Sequence, residues 1–399
     1  MRKIFLTALI LSAVMLCGCS GKKQVQTLNV YNWGEYISDG SEGTLDVNEE
    51  FEKYCLEEFG ENVKVNYTTY ASNEDMYNKI KSDSASYDVI IPSDYMIERM
   101  INEDMLLKLD FNNIPNYEYV NKEFRGLFFD KNDEYSVPYT YGMVGIIYND
   151  AMVDEEDVGG WDLLWNEKYK GQILQFNNPR DAFGTAIYSV GGDVNSTDVN
   201  VWNDAVEKLK KQKPLIQSYV MDEIFNKMKN GSAAIAPYYA GDYLTMYESN
   251  ENLQFYYPQE GTNVFVDSMC IPKCARNKEL AEKYINFMLS DDIAIANAEY
   301  IAYASPHDNV VSNEVYIEDM TDWCENAIEI LYPKNFDIPT QYYENLASDT
   351  LVLQNNLWET LKIDNAVEAW IYITSGSIIL LLAGIFLYNY IIKKIRNNY

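Results

Sequence analysis

The chain has one histidine, His307, among 399 residues, so any Ser-His-Asp or Cys-His triad would have to run through it. Zinc sites that need paired histidines cannot be built. Chemistry must therefore be sought among carboxylates, phenols and indoles: 61 Asp and Glu, 34 Tyr and 7 Trp. Two local patterns point to a site. Trp33-Gly34-Glu35-Tyr36 follows an apolar run, at the kind of strand end where open α/β sheets bind ligands. Asp267 lies between Val266 and Ser268 on an apparent strand, where a carboxylate is costly to bury without a cationic partner. Phe225 and Met228 at helical spacing, and Trp161 and Trp165, read as packing residues.

The acids outnumber the 31 Lys and Arg, for a net charge of −30. That excludes a nucleic-acid binder, which needs clustered basic residues to neutralise phosphates. Seven of the basic residues lie at the two ends, so residues 24–368 hold 24 against all 61 acids, a net −37. Such a field attracts cations and speeds their capture, although a well-solvated acidic surface has the same composition. At 47% hydrophobic the chain has ample material for a core.

Both ends speak of membranes. Arg2 and Lys3 precede an uncharged, mostly apolar run over 4–16, the pattern of an export signal and too short to span a bilayer. The run ends in Leu16-Cys17-Gly18-Cys19, which resembles the bacterial lipobox with Cys17 as its unusual member; removal of residues 1–18 would leave a lipidated Cys19. At the other end, residues 369–392 carry no charge and would reach about 36 Å as a helix, enough to span. Lys393, Lys394 and Arg396 follow in the tail 393–399, so the positive-inside rule places that tail in the cytoplasm and the acidic middle outside. Cys55, Cys270, Cys274 and Cys324 permit up to two disulfides, but their spacing fits neither a zinc site nor a particular pairing, and buried thiols are the simpler reading.

Between the ends, short β-branched runs alternate with amphipathic stretches, the pattern of an α/β architecture. Strands are predicted over 28–31, 63–67, 87–91, 144–148, 171–175 and 233–236, and helices over 47–59, 73–83, 95–102, 201–211, 221–229 and 278–289. Ser93 or Asp94 would cap the helix from 95. Residues 110–135 follow neither period and read as irregular. About 345 residues exceed one typical core and suggest two lobes.

The segment Leu28-Asn29-Val30-Tyr31-Asn32-Trp33-Gly34-Glu35-Tyr36 resembles the opening strand and loop of the bacterial spermidine/putrescine-binding proteins, the extracytoplasmic receptors of polyamine ABC importers. Tyr87-Asp88-Val89-Ile90-Ile91-Pro92-Ser93-Asp94-Tyr95, Tyr135-Ser136-Val137-Pro138-Tyr139, Trp161-Asp162-Leu163-Leu164-Trp165 and Val266-Asp267-Ser268-Met269 follow in the same order. The resemblance covers roughly residues 27–362. It implies a two-lobed α/β, class II periplasmic-binding-protein fold that closes on its ligand. Residues 27–138 plus 268–310 would form the first lobe, and 139–267 the second, with the C-terminal helices of 311–362 packed across both. The loop over 38–46 and the spanning segment depart from the family pattern.

A polyamine is a methylene chain with ammonium groups at intervals, so its site needs aromatic walls and spaced carboxylates. By resemblance, Trp33, Glu35 and Tyr36 form the first contacting loop, and Ser93 and Tyr95 the second. Asn178 and Asp181 align with a pair of acids, one of which is lost here. Tyr238, Phe265 and Tyr303 correspond to aromatic walls, Asp267 to a central ammonium acceptor, and Glu344 to a polar contact. No catalysis, cofactor or metal is implied, and the partners would be a polyamine and the permease of an ABC transporter. Two rivals use the same residue types. Pro237-Tyr238-Tyr239 suits a ferric-iron receptor of the same superfamily. Glu35 with Asp267 would suit a two-carboxylate glycoside hydrolase.

Overall fold

The computed structural model describes residues 25–82, 86–334, 336–363 and 369–396. The signal-like run, Cys17 and Cys19 lie outside the described residues. The strands are β1 (Gln26–Trp33), β2 (Val63–Tyr70), β3 (Val89–Ile90), β4 (Ser136–Asn149), β5 (Ile173–Phe176), β6 (Ile216–Val220), β7 (Ile235–Tyr239), β8 (Leu253–Tyr256), β9 (Thr262–Cys270) and β10 (Thr340–Tyr342). They join in the order β2-β1-β3-β9-β4-β7-β5-β6, with β8 beside β4 and β10 beside β9.

β1 lies parallel to both β2 and β3. The helices Val47–Phe59 and Asn73–Lys81 supply the crossovers that parallel neighbours need. The first helix begins where Asp46 accepts the Glu49 N–H and ends at Gly60 in the left-handed region, a conformation that glycine adopts without penalty. Ser72 caps the second by accepting from Asp75 N–H. The strand expected over 87–91 shrinks to Val89–Ile90, because Pro92 has no N–H to extend the ladder.

β4 and β9 are the long strands that join the two lobes. They run antiparallel from Ser136↔Cys270 to Met143↔Val264, with a bulge between Pro138 and Thr140 that sets Thr140 opposite Asp267. Beyond Met143, β4 pairs with β7 and β8 instead. One strand thus serves two sheets.

The central strands β3, β4, β5 and β9 are buried on both faces, so alternate residues feed different cores. Leu28, Val30, Val89, Ile91, Met269 and Ile271 enter one cluster with Phe51 and Tyr284. Tyr31, Ile90 and Cys270 point the other way, toward Met76, Ile97 and Met100. The second lobe has a larger core around Phe176, Phe183, Trp161 and Trp202, which also takes in Tyr316, Met320, Trp358 and Leu361 from the C-terminal helices. Trp161 is a packing residue, with its Nε1–H on the Gly261 carbonyl at 2.7 Å, and Trp165 packs at the edge of the same core. Residues 110–135 form short 3-10 turns, and Asp130 accepts backbone N–H groups from Glu134, Tyr135 and Ser136. Cys55, Cys270 and Cys324 are buried thiols.

Among the described residues, none of the helix Ala369–Arg396 enters the three core clusters. Its segment Thr374–Lys393 is long and apolar enough to cross a membrane, with a mean hydropathy of 1.9 and none of it buried against the rest of the chain.

Candidate functional site

The ends of β1, β3, β5 and β7 converge where β4 and β9 cross between the lobes, and a cavity opens there. It encloses about 830 Å³, the solvent at its mouth included, within the range of small-molecule sites. On one side the loop after β1 brings in Trp33 and Tyr36. The Trp33 indole is fixed by its Nε1–H to the Ile91 carbonyl at 2.9 Å and by the Tyr70 ring at 4.7 Å. Tyr36 donates its hydroxyl proton to Asp267 Oδ2 at 2.7 Å, and its oxygen lies 2.6 Å from Thr140 Oγ1. Ser93 begins the helix Asp94–Asn102. It exchanges bonds with Asn73, the Ser93 N–H reaching Asn73 Oδ1 at 3.1 Å and Asn73 Nδ2 reaching Ser93 Oγ at 3.0 Å. Tyr95 donates to Glu74 Oε1 at 3.0 Å.

The facing wall comes from the second lobe. Asn178 caps the helix Pro179–Tyr188 by accepting the Asp181 N–H at 2.8 Å, and its Nδ2 donates to Asp181 Oδ2 at 2.7 Å. Tyr239 donates to that same oxygen at 2.6 Å. Tyr238 stacks on Phe176, while Phe265 lies between the rings of Tyr239 and Tyr303. Tyr303 closes the far side and donates to Asp242 Oδ2 at 2.8 Å.

The cavity collects carboxylates. Glu74, Asp94, Asp181, Asp222, Asp242 and Asp267 line it, with Arg180 as the single cationic side chain. Burial pushes Asp267 up to about 6, against the lowering effect of the nearby Ser93 hydroxyl and of the Tyr36 hydrogen bond. Burial likewise pushes Asp242 up to about 7, with Asp222 and Glu35 adding repulsion. Asp94, which accepts the Tyr95 and Val266 N–H groups, is raised well above the usual carboxylate range by burial. Asp267 Oδ1 is buried and has no hydrogen-bond partner among the described residues. A cavity with this electrostatic deficit and these walls is built for an organic cation.

Trp33, Tyr36, Ser93, Tyr95, Asn178, Asp181, Tyr238, Phe265, Asp267 and Tyr303 all line the cavity. Glu35 and Glu344 do not. Glu35 sits at φ 51° in the turn after β1, which leaves its side chain exposed. Glu344 is also exposed and offers its backbone: its carbonyl accepts from Arg180 and its N–H donates to Asn195. The neighbouring Tyr343 supplies the ring instead. Phe225 packs against the second-lobe core as expected and also lines the cavity. On the short helix Glu223–Lys229, Ile224 and Met228 at i, i+4 face the core, so Phe225 is turned into the cavity. Sequence reasoning missed Glu74, Asp222, Asp242 and Arg180. The sequence suggests Asp94 only as a candidate helix cap, a position that Ser93 takes.

The rival readings lose their geometry. Tyr238 stacks on Phe176 and Tyr239 spends its proton on Asp181, and burial pushes both phenols away from the phenolate that ferric iron requires. Among the described residues no cluster of three His, Cys, Asp or Glu could hold a metal. With Glu35 in solvent, no Glu35–Asp267 pair faces a substrate.

Residues 48–321, more than half of the chain, match the family described as bacterial extracellular solute-binding protein. The chain is 32% identical over 337 residues to the spermidine/putrescine-binding periplasmic protein of Salmonella typhimurium, covering 84% of this chain and 91% of that protein. It is 34% identical over 282 residues to the protein of that name from Escherichia coli, covering 70% and 78%. A solved structure from Listeria monocytogenes superposes with a TM-score of 0.75 at 34% identity, covering 85% and 99%. The spermidine/putrescine ABC transporter substrate-binding protein of Streptococcus pneumoniae superposes with a TM-score of 0.65 at 35% identity, covering the same shares. These matches carry the two-lobed class II periplasmic-binding-protein fold with them, and the chain belongs to the bacterial extracellular solute-binding protein family.

Proposed function

We infer that the chain is an extracytoplasmic receptor that binds polyamines between its two lobes and delivers them to the permease of an ABC transporter. It is a binding protein, not an enzyme. One observation carries the reading furthest: a buried carboxylate oxygen, Asp267 Oδ1, without a partner among the described residues, inside an aromatic cavity lined by five further acids. An ammonium is the partner this arrangement requires, and a methylene chain is what the aromatic walls suit. The names of the relatives from Salmonella and Escherichia support the same ligand class. Titrating the purified protein with putrescine, spermidine, ferric iron and oligosaccharides tests it. Saturable heat with the polyamines alone is expected, and its absence would refute the reading.

Within this function, Asp267 would accept a central ammonium and Asp181 would add a further carboxylate to the site, with Trp33, Tyr36, Tyr95, Tyr238, Phe265 and Tyr303 as walls. Residues 27–138 with 268–310 would move as one lobe against 139–267. A signal over 1–18, a lipid on Cys19 and a spanning helix over 369–392 would hold the receptor on the outer face of the cytoplasmic membrane. The uncharged length of that helix and the basic residues after it support this orientation.

A further inference from the structure

A receptor for organic cations has no obvious need of a cation of its own, yet this cavity has one. Arg180 is 4% exposed and is the single Lys, Arg or His among the lining residues. Its guanidinium donates to the Val194 carbonyl at 3.0 Å, to Asn195 Oδ1 at 2.7 Å and to the Glu344 carbonyl at 3.1 Å. All three acceptors are neutral, so they fix its position without cancelling its charge. The guanidinium carbon lies 4.4 Å from the centre of the Tyr343 ring and 5.8 Å from that of Tyr95. Its Nε–H is buried with no acceptor among the described residues.

A charge held this way acts across the cavity, and it acts unevenly. Glu74, Asp94 and Asp181 all feel it as an aid to ionisation. Asp242, beside Tyr303, has no such aid and is opposed by Asp222 and Glu35. One end of the cavity is therefore partly neutralised from within, and the other is not.

Resting on the polyamine reading above, we propose that Arg180 is a specificity-determining residue: a resident cation that fills one ammonium position at the Tyr95–Tyr343 end and biases the cavity toward ligands with fewer charges. An ammonium reaching that end meets a like charge and acids already partly satisfied. A diamine can avoid it by lying toward Asp267 and Asp242, whereas a tetra-amine cannot. Asn178 fits the same economy, because a neutral amide there adds no further acid for a ligand ammonium.

The test is calorimetry on the detergent-solubilised full-length chain with putrescine, spermidine and spermine at one ionic strength. Arg180→Met removes the charge, Arg180→Gln removes it while keeping a donor for the Val194 and Glu344 carbonyls, and Arg180→Lys keeps it. The spermine-to-putrescine affinity ratio is expected to rise on the order of tenfold in both neutral variants and to stay near wild type in Arg180→Lys. Asn178→Asp leaves Arg180 in place and sets a second carboxyl against Asp181; at a pH high enough to ionise both it should also raise the ratio, which keeps the test decisive if the neutral variants fail to fold. An unchanged ratio in a folded neutral variant, or in Asn178→Asp, overturns the proposal. Failure of the wild type to bind any polyamine would instead overturn the functional reading, so the two failures are distinguishable.

Discussion

Asp267 concentrates the chemistry of the site in one side chain. One oxygen is held by Tyr36, and the other is buried with no partner among the described residues. Asp267→Asn keeps the shape and removes the charge, so polyamine affinity should fall by about 1.5–3 kcal/mol, the scale of hydrogen bonds to charged groups. Calorimetry would show it, and wild-type affinity in this variant would refute the role. The same carboxylate makes a prediction about pH in two opposite directions. Folding raises Asp267 to about 6 and Asp242 to about 7, above the ~3.9 of an unfolded aspartate. The folded ligand-free protein then binds more protons than the unfolded chain between those values, so its stability should fall as pH rises from about 4 to about 7 and level off above. Ligand binding needs the ionised forms, so affinity should fall as pH drops through the same window, with protons released on binding near pH 6. Titrations in buffers of different ionisation enthalpy would count those protons. A binding heat independent of buffer would show that both acids are already ionised.

At the scale of elements, the site depends on close approaches between the two lobes. The helix Ala240–Tyr247 begins with Ala240-Gly241-Asp242, and it meets the segment after the helix Asp291–Ile301. A Cβ at Gly241 would fall 2.2–2.7 Å from the ring of Tyr303, at its anchored side, so the ring would have to move. Gly241→Ala should therefore break the Tyr303–Asp242 bond and weaken polyamine binding, with some loss of stability because Tyr303 also belongs to the first lobe's core. Melting curves and calorimetry on the same samples separate these effects. Wild-type affinity would mean that this contact does not matter to the bound state. The sequence made some of these elements legible and not others, for physical reasons. The helix Val47–Phe59 was readable end to end because its cap, its terminal glycine and its apolar face agree. The loop Trp33–Tyr36 and Asp267 were readable from strand context. Asp242 and Glu74 were not, because an acid near a helix start looks like a solvated residue that favours the helix dipole. Only the packing of one lobe against the other puts them on the cavity wall. Glu35 was misplaced for the converse reason, since its motif is right but a left-handed backbone turns the side chain out.

At the scale of the whole molecule, the charge separates into an acidic middle and basic ends, and the ends are the parts that would touch the membrane. Lipidated Cys19 would hold one terminus and residues 369–392 the other. The helix Ser348–Ile363 ties the second anchor to the second lobe through Trp358 and Leu361, so a spanning helix would constrain that lobe more directly than the first. Stable attachment takes two lipid signals or one spanning helix, and a diacylated cysteine already meets the first condition. With both anchors present the helix would be redundant for retention, and its value would lie in orienting the second lobe toward the permease. Truncation after Lys362 should leave the receptor in the membrane fraction, and so should Cys19→Ala with the helix intact; only the two together should release it. If the truncated receptor with Cys19 unchanged appears in the medium, the lipid anchor is refuted. Polyamine uptake is the more telling measurement, because truncation should slow it at unchanged receptor abundance and unchanged affinity. Uptake as fast as wild type would leave the helix with no orienting role.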